Sequence, residues 1–339
     1  MENKSTVIVT GASGYIASHV IKQLLEEGYA VRGTLRTLSC GELLKENLSK
    51  YIDVSDLTFV KADLLKDDNW GAAMQGGDFL IHMASPVPMK EPDDENNLIK
   101  PARDGAIRAL KAAQGAGIKR IVLTSSIAAI SSGLNVHRKY DEEDWSDLDN
   151  LNGSMLAYTK SKILAEKAAW EFVKGTDIAL TTIHPSVVIG PLIGSRHSSS
   201  TEVIRRIIQG KDPGWPKLGF SFVDVRDVAN AHVKALQLSE ARGNRFICSN
   251  KYLWMSEIAL ILKKYLKPRG RKIKTWELPD FMVKLVALFD PTVKMLLPEL
   301  GRKSEFDTSK IRTQLSWTPR SIEKSICDTA ESLIEHKIL

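Results

Sequence analysis

The chain has 339 residues, 43% of them hydrophobic and 26% charged, and its 47 basic against 41 acidic side chains leave a formal net charge of +6. This composition excludes a disordered, fibrous or disulfide-stapled chain and leaves room for one large α/β domain with a smaller lobe. Lys and Arg are interspersed with Glu and Asp except at Lys267, Arg269, Arg271, Lys272 and Lys274, a short cluster that reads as a solvated loop, so no basic stripe tracks nucleic acid.

Residues 6–10 form an apolar run that breaks into Thr10-Gly11-Ala12-Ser13-Gly14-Tyr15-Ile16-Ala17. A strand that ends in a glycine turn and enters a helix aims main-chain N–H groups and the positive helix end at one place, which suits a pyrophosphate. Gly11 allows the tight bend, Gly14 lets phosphates approach the main chain, and Ala17 lets helix and strand pack closely. The helix expected over 14–27 carries Ile16, Val20, Leu24 and Leu25 on one stripe and stops at Gly28. With a strand starting near Thr6 there is no room ahead of it for a signal peptide, and Cys40, Cys248 and Cys327 form neither a disulfide framework nor a metal spacing. The expected location is the cytoplasm.

Strand-like runs at 30–35, 57–61, 79–83, 120–125 and 178–184 alternate with helical stretches near 97–115 and 158–173. That alternation predicts a doubly wound parallel sheet with helices on both faces, and a cofactor beyond the strand C-termini, where Ser13, Arg36, Asp63, Ser85 and Ser126 fall. Residues 1–185 are expected as the dinucleotide-binding domain, revisited by 220–250 through strands at 220–223 and 245–248. Residues 186–219 and 251–339 are expected as a smaller, mostly helical substrate lobe closed by a helix over 322–336. The apolar stretch 281–297 is broken by Lys284, Asp290, Pro291 and Lys294 and reads as two amphipathic helices, not a membrane span. The acidic run 141–144 reads as a solvated loop, and His82, His184 and His232 as core residues without metal.

No carboxylate stands between Glu27 and Glu42 to accept ribose hydroxyls, whereas Arg32 and Arg36 alternate onto one face of the second strand. A guanidinium there pairs with a 2′-phosphate, so the expected cofactor is NADP(H). Carbonyl reduction also needs a proton donor beside the oxygen. Tyr158 and Lys162 share a helix face at i and i+4, which places the ammonium where it lowers the pKa of the phenol and reaches the cofactor ribose. Lys160 points elsewhere. Thr124-Ser125-Ser126 ends the fifth strand and brings hydroxyls to the same crevice.

These segments, with His82-Met83-Ala84-Ser85-Pro86, Leu164 to Trp170, His184-Pro185-Ser186-Val187-Val188-Ile189-Gly190-Pro191 and Trp317-Thr318-Pro319-Arg320-Ser321, resemble the extended short-chain dehydrogenase/reductase family over nearly the whole chain. Within it they are similar to dihydroflavonol reductase-like aldehyde and ketone reductases of the NAD-dependent epimerase/dehydratase superfamily. The resemblance implies a Rossmann-type fold and a catalytic triad of Ser126, Tyr158 and Lys162. It also implies Pro185 and Val188 against the nicotinamide, Ser200 on a cofactor phosphate, and Asp63 and Leu64 around the adenine. Gly11, Ser13, Gly14, Tyr15, Ile16, Arg36, Met83, Ala84 and Ser85 complete the expected cofactor set.

The expected substrate is a small apolar or aromatic carbonyl compound, in a pocket walled by Pro86, Val87, Ile130, Met155, Leu192 and Phe220, on a monomer or homodimer. Ser131 stands where dihydroflavonol reductases tend to carry Asn or Asp. Met155-Leu156-Ala157 replaces the motif similar to cinnamoyl-CoA reductases. A related epimerase, dehydratase or hydroxysteroid dehydrogenase shares the triad, and a non-catalytic NADP(H)-sensing regulator would share the cofactor.

Overall fold

The apolar runs are continuous where one-sided burial would make them alternate, and the inner strands of the central sheet are buried on both faces. A computed structural model describes residues 4–87, 92–136, 138–153, 155–195, 198–270 and 272–339. In chain order, the first half contains β1 (Thr6–Val9), α1 (Tyr15–Glu26), β2 (Ala30–Leu35), α2 (Ser39–Ser49), β3 (Leu57–Lys61), α3 (Trp70–Met74), β4 (Phe79–His82), α4 (Asn96–Gly115), β5 (Arg120–Thr124), α5 (Leu156–Val173) and β6 (Ala179–Pro185). Then follow β7 (Val187–Ile189), α6 (Ser199–Gln209), β8 (Gly219–Asp224), α7 (Val225–Gln237), β9 (Arg245–Cys248) and β10 (Lys251–Trp254). The chain ends through α8 (Met255–Leu266), α9 (Asp280–Val286), α10 (Pro291–Leu296), α11 (Ser309–Gln314) and α12 (Ile322–Glu335).

The central sheet has the order β3-β2-β1-β4-β5-β6-β9, with every ladder parallel. Val7 and Val9 point into the core under α1, α2 and α7, while Ile8 points into the core under α3, α4 and α5, as the two-residue period of a strand requires. From β1 the chain winds outward in both directions, which opens a crevice between β1 and β4 at their C-terminal ends. This is the doubly wound α/β fold that the alternation predicts.

Residues 220–223 do not return to this sheet. Of the two late strands only β9 does, beside β6; β8 pairs with β7 in parallel and with β10 antiparallel in a second sheet. Phe222 of β8 faces a separate core with Ile204, Ile207, Leu262, Ile326 and Leu333 from α6, α8 and α12, and with Trp215 from the segment before β8.

The stretch 281–297 forms α9 and α10, and among the described residues no helix is long and apolar enough to cross a membrane. Val283 and Ala287 of this region face inward, whereas Phe281, Leu285, Leu288 and Phe289 are exposed. In the basic cluster Arg269 pairs with Glu331 and Lys274 donates to the Asp212 carbonyl, while Arg271 lies outside the described residues. The acidic run is not wholly solvated: Glu142 is buried and accepts the Ile247 N–H at 2.9 Å, satisfying the main chain of β9.

Candidate functional site

The turn after β1 is built by backbone. Gly11 has φ 67°, and a Cβ there would stand 2.9 Å from Ala84 Cα, so conformation and close approach both require glycine. Gly14 N–H closes the turn on the Gly11 carbonyl at 2.8 Å. Gly14 then starts α1 with no side-chain cap, which leaves the first helical N–H groups open to the crevice. Thr10 Oγ1 accepts the N–H groups of Met83 and Ala84, each at 3.0 Å, and gives its own proton to His82 Nδ1 at 2.9 Å. Burial, reinforced by the Lys162 charge, lowers His82 to about 3, so the imidazole is a neutral lock between β1 and β4.

A cleft of about 1060 Å³ opens along these strand ends. Its floor and walls include Gly11, Ser13, Gly14, Tyr15 and Ile16 from the turn, Arg36 after β2, Asp63 and Leu64 after β3, and Met83, Ala84 and Ser85 after β4. Ser126, Tyr158, Lys162, Pro185, Val188 and Ser200 line it as well. Arg36 is exposed and has no hydrogen-bond or ion-pair partner among the described residues. Arg32 does not join it, because its guanidinium donates to the carbonyls of Ala73 and Gln75.

The Asp63 carboxylate accepts the Leu65 N–H at 3.0 Å. Leu64 packs against α4, where a Cβ at Gly105 would meet it at 2.7 Å. Tyr15 spends its hydroxyl on the Gly190 carbonyl at 2.8 Å, and Ser200 Oγ lies 3.1 Å from Ser198 Oγ.

Ser125 and Ser126 part company at the end of β5. Ser125 Oγ turns inward to Glu166 at 2.6 Å, whereas Ser126 faces the cleft, accepts the Ala128 N–H at 3.2 Å and hydrogen-bonds the Tyr158 hydroxyl. Lys162 Nζ lies 5.9 Å from the centre of the Tyr158 ring and donates to the Thr124 carbonyl at 3.3 Å. Lys160 leaves the site for Glu95 at 2.6 Å.

One electrostatic expectation is reversed. Burial pushes the Tyr158 phenol above its ordinary pKa, opposed only by the Ser126 hydrogen bond, so Lys162 does not lower it in the cofactor-free cleft. Burial also lowers Lys162, to about 8.

The residues from β1 to β9 form a recognisable unit: a model of the NAD-dependent epimerase/dehydratase family matches residues 7–248. The chain belongs to this family. Cinnamoyl-CoA reductase CAD2 of Medicago truncatula is 37% identical over 265 residues, covering 77% of this chain and 80% of that protein. Dihydroflavonol 4-reductase of Gerbera hybrida is 33% identical over 268 residues, covering 77% and 73%. The crystal structure of yeast methylglyoxal/isovaleraldehyde reductase Gre2 complexed with NADPH superimposes with a TM-score of 0.79 at 26% identity, covering 98% of this chain and 99% of that one.

The far wall of this family member's cleft departs from expectation. Pro86, Val87, Met155 and Phe220 line it, but Ile130 and Leu192 do not. Ile130 is wholly buried with Tyr140, Ile247 and Phe306, and Leu192 belongs to the lobe core. Ser131, Ser132, Asn152, Tyr252 and Arg302 take part instead, so the wall mixes apolar surface with hydroxyl, amide and guanidinium groups.

Met155 holds a left-handed conformation, φ 58°, at the entry to α5, a local strain of about 1 kcal/mol that turns the chain into the helix carrying Tyr158. Two groups stand outside the expected site set, although both lie in segments that carry the family resemblance. Ser186 Oγ, at the cleft between Pro185 and Val187, is buried without a partner among the described residues. Glu166, four residues after Lys162 on one helix face, is the other.

Proposed function

We propose that this protein reduces an aldehyde or ketone to an alcohol with NADPH. The observation that carries the reading is the meeting of the Ser126 and Tyr158 hydroxyls, with Lys162 one helical turn on, in the same cleft as an open glycine turn and an Arg36 that has no partner among the described residues. The cleft fits the cofactor by three features: Gly11 leaves main chain bare where a side chain would intrude, α1 begins uncapped, and Ser186 Oγ is a buried hydroxyl still needing a partner. Gly11, Ser13, Gly14 and the start of α1 would hold the pyrophosphate, and Arg36 the 2′-phosphate. Asp63 and Leu64 would flank the adenine, Ser200 would reach a phosphate, and Lys162, Pro185 and Val188 would hold the ribose and nicotinamide end. When bound, NADPH supplies the hydride that the carbonyl carbon accepts.

The chain supplies the rest. Ser126 donates a hydrogen bond to the substrate oxygen and holds it against Tyr158, and the Tyr158 hydroxyl gives that oxygen its proton. Burial opposes a phenolate and the Ser126 hydrogen bond favours it, so Tyr158 keeps its proton until the substrate oxygen takes it, with the Lys162 ammonium 5.9 Å from its ring to meet the charge then left. The mixed far wall suits a compact aromatic or aliphatic carbonyl compound with one or two polar substituents.

The test is NADPH oxidation followed across a panel of aldehydes and ketones. Tyr158→Phe should lower kcat by about 10²- to 10⁴-fold with NADPH binding, read by fluorescence titration, retained. Full turnover by that variant would remove the proposed acid.

A further inference from the structure

Behind Lys162 lies a set of buried charges that the reaction proposed above leaves unused. Glu166 is 1% exposed, yet its carboxylate meets Ser125 Oγ at 2.6 Å, Thr182 Oγ1 at 3.1 Å, His184 Nε2 at 2.8 Å and Arg245 Nε at 2.9 Å. Burial alone would raise its pKa, but His184, Arg245 and Ser125 together hold it well below the ordinary carboxylate value. Arg245 is itself seated on the carbonyls of Glu142 and Asp144, at 2.6 and 2.7 Å, and lies 3.7 Å over the Trp145 ring. Desolvating so many charged groups is costly, and apolar residues of similar volume would pack the same space at least as well.

The position of the cluster suggests what it does. Glu166 follows Lys162 by one turn of α5, and between them lies a cavity of about 10 Å³, room for about one water, lined also by His82, Ser85 and Ser125. The same carboxylate takes the hydroxyl of Ser125, the residue immediately before Ser126.

We propose that Glu166 is a positioning residue: its carboxylate, anchored from β6 and β9, sets a negative charge behind the Lys162 ammonium and, through Ser125, fixes the end of β5 that carries Ser126. The proposal rests on the reductase reading of the cleft. Burial is what pulls Lys162 down to about 8, and Glu166 is the group that opposes it. The other titratable groups around Lys162 are Tyr158 on its own helix and His82 on β4, while His184 and Arg245 lie beyond Glu166.

A carbon-13 NMR titration of the lysine side chains in the cofactor-free protein tests this, with Lys162 assigned through Lys162→Met. Wild-type Lys162 should titrate near the value of about 8 given by its surroundings. Glu166→Gln should lower that midpoint by about one pH unit, and the alkaline limb of the kcat profile should move down with it. Glu166→Asp, which keeps the charge, should restore most of both. An unmoved Lys162 midpoint, with kcat reduced equally at every pH, would overturn the proposal and leave Glu166 a packing residue. Should Glu166→Gln fail to fold with Arg245 left uncompensated, Glu166→Gln/Arg245→Met removes both charges and the same titration decides. A shifted midpoint in a protein that reduces no carbonyl would count against the reductase reading and for the pairing of Glu166 with Lys162.

Discussion

The glycine-turn side of the cleft and the wall supplied after residue 186 are assembled by different means. On the turn side the determinants are main-chain contacts and apolar burial around β1: the Gly11 bend, the Thr10 hydroxyl on the Met83 and Ala84 N–H groups, and Val7 and Val9 under α1. On the other side they are charges and hydroxyls that meet across long stretches of chain. Arg226 bridges Asp224 at 2.6 Å and Asp328 at 2.7 Å, Ser325 Oγ donates to Asp224 at 2.6 Å, and Asp227 accepts the Arg320 N–H at 2.7 Å. The Gly190 and Leu192 N–H groups end on Thr329 and Ser332 hydroxyls. Apart from Arg226 with Asp224, these pairs lie between 93 and 140 residues apart. Tyr15 and His19 of α1 staple the two sides by bonding the Gly190 and Pro191 carbonyls. The difference teaches that the far wall can be recut without disturbing the turn, provided its long-range pairs survive.

Trp317→Ala gives the largest expected break. The indole is 1% exposed and donates to the Asp227 carbonyl at 2.9 Å, which pins the C-terminal segment beneath α7. Its loss should cost about 3–5 kcal/mol in urea unfolding while the folded fraction keeps its NADPH affinity. A matching loss of NADPH affinity would show that the two sides are one cooperative unit.

Gly11→Ala acts on the opposite side. The left-handed conformation costs a side chain about 1–2 kcal/mol, and the 2.9 Å approach to Ala84 Cα adds strain. The expected result is an NADPH Kd weakened by about 10-fold or more with a modest fall in Tm. Unchanged NADPH binding would sink the phosphate role of the turn. Arg36→Leu, at an exposed position, should leave Tm unmoved and raise the KM for NADPH by about 10- to 100-fold with little change for NADH. An equal effect on both cofactors would mean that Arg36 does not read the 2′-phosphate.

What was legible in the sequence follows the same division. The parallel sheet and the turn can be read because their signals, apolar runs and a glycine spacing, each lie within a few residues, and the residues singled out there line one cleft. The sheet that residues 219–224 join cannot be read, because it depends on pairing with β7 and β10, which no pattern within the strand itself specifies. Ile130 and Leu192 look like wall residues because an apolar pattern marks them as inward without saying which interior they face. The reversed pKa direction at Tyr158 has the same origin: i,i+4 spacing places a charge near the phenol, but desolvation is a property of the packed whole. Glu142, within a run of four acidic residues, turns inward for a main-chain donor on β9 that no local pattern announces.

The pH dependence of stability samples both sides together. His19 and His232 are lowered to about 4 and His82 to about 3, in each case chiefly by burial, from an ordinary value of 6.5. Burial keeps each neutral, against the pull of the Pro191 carbonyl on His19 and of the Val228 carbonyl on His232; His82 bonds the Thr10 hydroxyl and His232 also Thr124 Oγ1. As pH falls below 6.5 the unfolded chain takes up protons that the folded one refuses, so stability declines with acidification until the folded midpoints near 4 and 3 are passed. The slope should approach about 1.4 kcal/mol per pH unit for each histidine, measured by urea unfolding between pH 6.5 and 4.5. His19→Gln should remove one histidine's share of that slope and, because it loosens the staple between α1 and the 190–191 carbonyls, should also weaken the coupling between the two sides. A stability profile flat across that interval would mean that these imidazoles are not kept neutral, and the lock between β1 and β4 would need another explanation.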